Sequence, residues 1–168
     1  MNLVFDTDIL STFGKIRRLD LLKKLLPNVR FFVPSSVYNE LFKARERGYE
    51  FVDYVIESGI LEVIPLNKEE LEFLGRLREE RKSLGLGELE GVSICKHREY
   101  VLVTNDITAK KVCDQYGIKI IDLSMILKSL LEVKILMSDE LGALIDEIER
   151  KDRVIIKDKD DILNRKRR

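Results

Sequence analysis

Residues 101–121 read VLVTNDITAKKVCDQYGIKII, and this stretch contains one complete strand–helix–strand unit. The apolar run 101–103 is typical of a buried strand, and residues 119–121 predict a second strand. Residues 108–116 between them have helical spacing, and Gly117 provides a good helix end. A strand, a helix and another strand in this order predict parallel pairing with the helix packed on one face of the sheet.

The same alternation extends through the rest of the chain. Short apolar runs at 3–5, 31–33 and 61–64 predict further strands, and the segments between them have helical spacing. Thr7 or Asp8 is expected to cap the helix after the first strand. The alternation predicts one α/β domain over residues 1–150, with a central parallel sheet covered by helices on both faces.

Residues 151–168 form a charged extension to this domain. Residues 154–156 are apolar and are a candidate edge strand, whereas residues 164–168 contain no apolar side chain. We therefore predict a flexible basic tail at the end of the chain.

Composition excludes several classes of protein. The 168 residues contain 30 basic and 30 acidic side chains, so no overall positive charge marks a nucleic-acid-binding protein. A single histidine, His97, argues against a zinc site built from histidines and against a Ser-His-Asp catalytic triad. No apolar run is long enough to cross a membrane, and residues 1–10 do not resemble a signal peptide. Two cysteines without metal-type spacing, Cys95 and Cys113, suggest a reduced, cytoplasmic protein.

Four acids occupy strand ends or helix starts of the predicted fold. Asp6 directly follows the first strand, and Asp106 follows the strand 101–103 after two polar residues. Glu40 lies one turn inside the helix after the second strand, and Glu88 follows a Gly-x-Gly break. Because parallel α/β sheets bind ligands at the carboxyl ends of their strands, these acids are expected to converge.

A convergence of carboxylates predicts a divalent cation. Close carboxylates repel each other, and a bound Mg²⁺ or Mn²⁺ relieves this repulsion through hard oxygen ligands. Such an ion can polarise a phosphoryl oxygen and activate water, so phosphodiester hydrolysis would need no histidine. Each acid taken alone could equally be a helix cap or a surface residue.

The residues at these positions resemble the PIN-domain family, in particular its VapC-like ribonucleases. LVFDTDIL (3–10) is similar to the family's opening strand and aspartate, and VPSSVYNEL (33–41) is similar to its second motif with a glutamate. GLGELEGVSICKHREYVLVTNDITAKKV (85–112) resembles the third and fourth motifs together. The resemblance spans about residues 2–135.

This resemblance implies a three-layer α/β/α fold and a ribonuclease that requires Mg²⁺ or Mn²⁺. It carries the metal-binding and catalytic roles over to Asp6, Glu40, Glu88 and Asp106, with Thr104 beside them. It also implies RNA as the substrate and a homodimer. For some members of the family it implies the toxin role in a toxin–antitoxin pair, with an antitoxin as partner.

Four further positions are accessory candidates. Asp8 stands where the family usually has a small neutral residue, so it either joins the metal site or caps the helix, and Asn105 lies between Thr104 and Asp106. Lys110 and Lys111 follow Asp106 by about one helical turn and are candidate RNA contacts.

The third motif offers two glutamates. Glu90 is two residues from Glu88, about 200° around a helix, so both cannot face one ion. We choose Glu88, which lies beside the glycines.

Two other functions remain open at this point. Asp6-Thr7-Asp8 also resembles the opening motif of haloacid dehalogenase-type phosphatases, in which the first aspartate is a nucleophile. That interpretation leaves Glu40 and Glu88 unexplained and lacks the later acidic pair. The second alternative is a PIN-like module that binds RNA or protein without cutting.

Overall fold

A computed structural model describes residues 1–163 of the chain, and the predicted basic tail at 164–168 lies outside the described residues. The chain alternates strands and helices from its first residues onward. The strands are β1 (Asn2–Phe5), β2 (Arg30–Pro34), β3 (Leu61–Ile64), β4 (Val101–Val103) and β5 (Ile120–Ile121). The helices are α1 (Thr7–Lys15), α2 (Leu19–Leu25), α3 (Ser35–Glu46), α4 (Phe51–Glu57), α5 (Lys68–Glu80), α6 (Leu86–Arg98), α7 (Ile107–Gln115), α8 (Leu123–Glu132), α9 (Ser138–Asp152) and α10 (Lys159–Ile162).

The five strands form one parallel sheet in the order β3-β2-β1-β4-β5. Strand β1 lies at the centre, and the sheet continues from it in both directions. Strands β2 and β3 lie on one side of β1, and β4 and β5 lie on the other. The strand order therefore switches between β1 and β4, and ligands bind at such a switch point in open α/β folds. Asp6 and Asp106, which follow these two neighbouring strands, are therefore brought to the same edge.

Side chains of the central strands alternate between two apolar cores. Leu3, Phe5 and Val103 face the core formed with α1–α4, α8 and α9. Val4 and Leu102 face the opposite core, formed with α5, α6 and α7. The period-two alternation of a strand thus separates the helices into two layers, and the predicted three-layer α/β/α fold is confirmed.

The N-cap of α1 differs from the sequence prediction. Asp6, and neither Thr7 nor Asp8, is the N-cap of α1, because Asp6 is the last extended residue after β1. Helix α3 begins directly after Pro34 and has no side-chain cap of its own. Helix α6 begins at Leu86, so Glu88 lies inside its first turn.

The predicted edge strand at 154–156 is wrong. These residues form no strand; they follow the left-handed residue Arg153, and the backbone amide of Ile156 donates to Oε1 of Glu149 at 2.9 Å instead of to a strand. Ile156, and Ile162 in α10, are buried in the same core as α1 and α9. The segment after α9 therefore packs onto the domain through these isoleucines, whereas Ile155 is exposed. Among residues 1–163, no helix combines the length and the apolar character that a membrane crossing requires.

Candidate active site

Asp6 lies at the carboxyl end of β1 and is held from two sides. Its backbone amide donates to the carbonyl of Val103 at 3.0 Å, which continues the pairing of β1 with β4. Its Oδ1 accepts from the amide of Thr7 at 2.7 Å, and its Oδ2 accepts from the hydroxyl of Thr104 at 2.8 Å. The carboxylate is thereby fixed between the first and fourth strands of the chain.

Asp106 is tied to the same threonine through its backbone. The amide of Asp106 donates to Oγ1 of Thr104 at 3.1 Å, and its Oδ1 accepts from the amide of Ala109 at 2.6 Å, which caps α7. Thr104 is almost fully buried, so its hydroxyl links the carboxylate of Asp6 to the backbone of Asp106 in a place that water does not reach.

Glu40 reaches the site from α3 and Glu88 reaches it from α6. Oε2 of Glu40 accepts from the hydroxyl of Thr7 at 2.7 Å, and Oε2 of Glu88 accepts from the amide of Gly85. The two helices approach closely at Gly87, where a Cβ atom would lie 2.8 Å from Cγ2 of Val37 and 3.4 Å from Oε1 of Glu40. The absence of a side chain at Gly87 is therefore what permits Glu40 and α6 to be neighbours.

Glu90 points away from these acids and has a different partner. Its Oε2 accepts from both the amide and the hydroxyl of Ser36, at 3.0 and 2.6 Å. Since α3 lacks a cap of its own, a side chain from α6 satisfies a free amide in its first turn. Glu90 therefore fixes α3 against α6.

Asp8 joins the site as a fifth carboxylate. Its Oδ1 accepts from the amide of Ile9 at 2.5 Å, and its Oδ2 accepts from the amide of Asn105 at 2.7 Å. Asp8 thus connects the first turn of α1 to the loop after β4, and it holds the loop that carries Asn105 and Asp106.

These residues surround one cavity of about 710 Å³ at the carboxyl end of the sheet. All four acids predicted from the sequence line it, together with Asp8 and Asn105. The lining also includes Ser11 and Ser83, which sequence reasoning missed. Ser11 lies one turn after Thr7 on the same face of α1, a spacing that could have identified it. His97 lies in the last turn of α6 and does not line the cavity.

Burial and mutual repulsion raise the pKa of three of the acids. Burial is the largest cause for Asp6, and repulsion by Glu40 and Asp106 adds to it, although hydrogen bonds from Thr104 and Thr7 oppose the rise. Burial and the charge of Asp6 raise the pKa of Asp8 to about 7. The pKa of Glu88 is also raised, by burial first and then by its acidic neighbours. The cavity therefore has an unbalanced negative charge.

The acids fit a divalent cation by their chemistry, although they do not yet converge on a single point. Within residues 1–163, no three His, Cys, Asp or Glu side chains are grouped closely enough to hold a metal ion. Helix amides and a threonine engage one oxygen each of Glu40, Glu88 and Asp106, and the second oxygen of each has no hydrogen-bond partner among the described residues. Hard, partly unengaged and mutually repelling oxygens are the donor set that Mg²⁺ or Mn²⁺ suits.

The two lysines predicted as RNA contacts lie outside this cavity. Nζ of Lys110 forms an ion pair with Asp122 at 2.8 Å, and neither Lys110 nor Lys111 lines the cavity. The charge of Lys110 is thus engaged by the loop before α8, while Lys111 is exposed on α7.

Solved structures share this fold at low sequence identity. VapBC2 from Rickettsia felis, bound to a DNA fragment from their promoter, matches with a TM-score of 0.57 at 19% identity, over 73% of this chain and 98% of that chain. VapBC-1 from nontypeable Haemophilus influenzae matches with a TM-score of 0.57 at 18% identity, over 73% of this chain and 98% of that one. No curated protein matches the sequence.

A family model supports the resemblance seen in the motifs. The model for the PIN domain matches residues 2–161, which include every strand of the sheet and all five acids of the cavity. The match covers nearly the whole chain, and the chain therefore belongs to the PIN-domain family.

Proposed function

We propose that this protein is an endoribonuclease that hydrolyses RNA phosphodiester bonds with Mg²⁺ or Mn²⁺ held by Asp6, Glu40, Glu88 and Asp106. One observation carries the proposal: these acids come from four separate parts of the chain and line one cavity at the carboxyl end of the sheet. Membership of the PIN-domain family and the fold shared with VapBC structures support it.

The chain's own residues would hold the site in a fixed arrangement. Thr104 positions the carboxylate of Asp6 and the backbone of Asp106, and Thr7 positions Glu40. Asp8 and Asn105 fix the loop that carries Asp106. When bound, the cation would polarise a phosphoryl oxygen and make a water more acidic. A carboxylate beside the cation would accept the proton of the attacking water, because the cavity lining contains no histidine.

The biological partner is proposed from the neighbours of the fold. Both structures named above are VapBC assemblies, and one of them is bound to promoter DNA. We propose that this chain is the toxin of a toxin–antitoxin pair, that an antitoxin protein binds it, and that it forms a homodimer. Co-purification with the product of a neighbouring gene, followed by loss of RNA cleavage in the complex, is the expected result.

The nuclease is tested by RNA cleavage with purified protein. Cleavage should require Mg²⁺ or Mn²⁺, stop with EDTA and fall by orders of magnitude in Asp6→Asn. Asp114→Asn, which changes the same group on the exposed surface of α7, is the matched control and should cleave normally. Unchanged cleavage by Asp6→Asn would contradict the assigned roles.

The same assay separates the two alternatives. A phosphatase of the haloacid dehalogenase type would release phosphate from a small phosphoester through a phosphoaspartate at Asp6. A binding module would retain RNA without cutting it under any metal condition. Neither alternative accounts for why Glu40 and Glu88 line the cavity with Asp6 and Asp106.

A further inference from the structure

The active-site cavity has no positive charge of its own to receive a polyanion. Its lining contains five carboxylates, and none of its lining residues is a lysine or an arginine. A cation at the acids would neutralise the phosphate under attack, but the phosphates on either side of it would need other partners. Lys110, a predicted partner, is already paired with Asp122.

A second cavity adjoins the first across the connection between α5 and α6. It measures about 460 Å³, and its lining includes Arg78, Arg81 and Lys82. Ser83, Gly85 and Gly87 line the acidic cavity, whereas Lys82, Leu84 and Leu86 line the basic one. Residues 82–87 therefore alternate between the two cavities and form the wall that they share.

The three cations of the second cavity are free of carboxylate partners within residues 1–163. Lys15 and Lys110 form ion pairs with aspartates elsewhere, but Arg78, Arg81 and Lys82 form none among the described residues. The lining also contains Glu79, so three positive charges and one negative charge leave a net charge of +2. This excess charge lies directly beside the acidic cavity.

The guanidinium of Arg81 has a buried donor without an acceptor among residues 1–163, which favours an anion as the ligand of this cavity. Its Nη2 donates to Oε1 of Gln115 at 2.6 Å, but its Nε is buried and has no hydrogen-bond partner in the described part of the chain. A buried donor without an acceptor is costly, and a turn of the guanidinium toward a bound anion would satisfy it. Planar guanidinium groups are well suited to phosphate oxygens.

We propose that the cavity on the α5–α6 connection, with Arg78, Arg81 and Lys82, binds phosphates of the RNA strand next to the one that is cut. The identity of the ligand as RNA rests on the proposed nuclease function, whereas the site itself rests on the charges and the shared wall. A single strand of RNA would pass over residues 82–87 from the basic cavity into the acidic one. Leu86, which is exposed, offers apolar surface to the sugar or base between successive phosphates.

The test is the salt dependence of RNA binding in EDTA, where no cleavage occurs. Arg78→Gln with Lys82→Gln removes two exposed cations and leaves Arg81 in place, so folding is not at risk. A labelled single-stranded RNA oligonucleotide is the ligand. Each phosphate contact on single-stranded nucleic acid contributes about 0.7 to the slope of log K against log salt, so the slope should fall by about 1.4.

The matched control removes two cations of α5 that lie outside the cavity. Lys68→Gln with Arg76→Gln changes two exposed side chains of α5 that do not line it, and this variant should keep the wild-type slope. Equal slopes for the two double variants, or no RNA binding by the wild type, would overturn the site. If the slope falls as expected in Arg78→Gln with Lys82→Gln but the wild type never cleaves RNA with Mg²⁺ or Mn²⁺, the nuclease function is refuted and the binding site is supported.

Discussion

Thr104 is the side chain on which the geometry of two acids depends. Its hydroxyl donates to Asp6 and accepts from the amide of Asp106, and it is buried. A buried hydroxyl with two partners fixes both groups more firmly than either hydrogen bond alone. Thr104 therefore fixes the carboxylate of Asp6 relative to the backbone that carries Asp106.

Thr104→Val keeps the shape of this side chain and removes its hydroxyl. The amide of Asp106 would lose its acceptor, so the free energy of unfolding should fall by about 1–3 kcal/mol. RNA cleavage should fall at least about tenfold, since one misplaced ligand group costs about 1.4 kcal/mol or more in the transition state. Urea unfolding and cleavage rates measure both effects. Thr104→Ser restores the hydroxyl, and its failure to recover activity would contradict the positioning role.

Asp8 makes the metal-free protein sensitive to pH. Its ordinary pKa is 3.8, and burial with the nearby charge of Asp6 raises the pKa to about 7 in the folded protein. The folded state binds the proton more tightly, so the stability from protonated Asp8 is complete below about pH 4 and is lost as the pH rises through 7. The melting temperature in EDTA should therefore fall between about pH 5 and about pH 8.

Asp8→Asn should reduce this fall, and Asp139→Asn, at an exposed position of α9, should leave it unchanged. The raised pKa values of Asp6 and Glu88 act in the same direction, so part of the fall will remain. Added Mg²⁺ should raise the melting temperature more at the higher pH, because the acids must lose their protons to bind it. A melting temperature that rises with pH in EDTA would rule out the raised pKa values.

Positions next to strand ends were predictable from the sequence, and long-range partners were not. Asp6 and Asp106 follow strands directly, so the strand pattern alone brings them to one edge of the sheet. The pairing of Glu90 with Ser36 joins residues 54 positions apart, and it depends on how α3 packs against α6. The ion pair of Lys110 with Asp122 likewise depends on the path of the loop after β5.

At the scale of elements, the contact between α3 and α6 determines how close Glu40 lies to Glu88. Gly87 provides the close approach, and Glu90 ties the first turn of α3 to α6. The strands and most helices followed from apolar spacing. The start of α6 is less evident from the sequence, because Gly85 and Gly87 flank Leu86 and glycine is a poor helix former. In the structure Gly87 packs against Val37 of α3.

Gly87→Ala would place a Cβ 2.8 Å from Val37, so α6 would move away from α3. Overpacking of this kind should lower the free energy of unfolding by about 1–3 kcal/mol and reduce RNA cleavage, because Glu40 moves with α3. Gly75→Ala is the matched control, since a Cβ at Gly75 meets nothing within 4 Å. It should stabilise α5 by about 0.5–1 kcal/mol. Equal stability of the two variants, measured by urea unfolding, would contradict the close contact.

At the scale of the whole molecule, the segment after α9 completes the core on one face of the sheet. Asp152, the last residue of α9, accepts from Thr12 and pairs with Lys15 in α1, and beyond it α10 packs against α8. The sequence suggested a separate extension there, because charged residues outnumber apolar ones from 151 onward. Three of its apolar residues, Ile156, Ile162 and Leu163, are nevertheless buried, and periodicity over so short a stretch is too weak to predict that.

Two isoleucines of this segment distinguish a packed segment from a loose extension. Ile162 in α10 is 1% exposed, whereas Ile155 is 82% exposed. Ile162→Ala should lower the free energy of unfolding by about 2–5 kcal/mol, because it leaves a cavity in the core shared with α1, α8 and α9. Ile155→Ala should change it by less than about 0.5 kcal/mol. Urea unfolding with a single transition checks both values. If Ile162→Ala proved as mild as Ile155→Ala, α10 would contribute nothing to the fold, and the PIN domain would be stable without it.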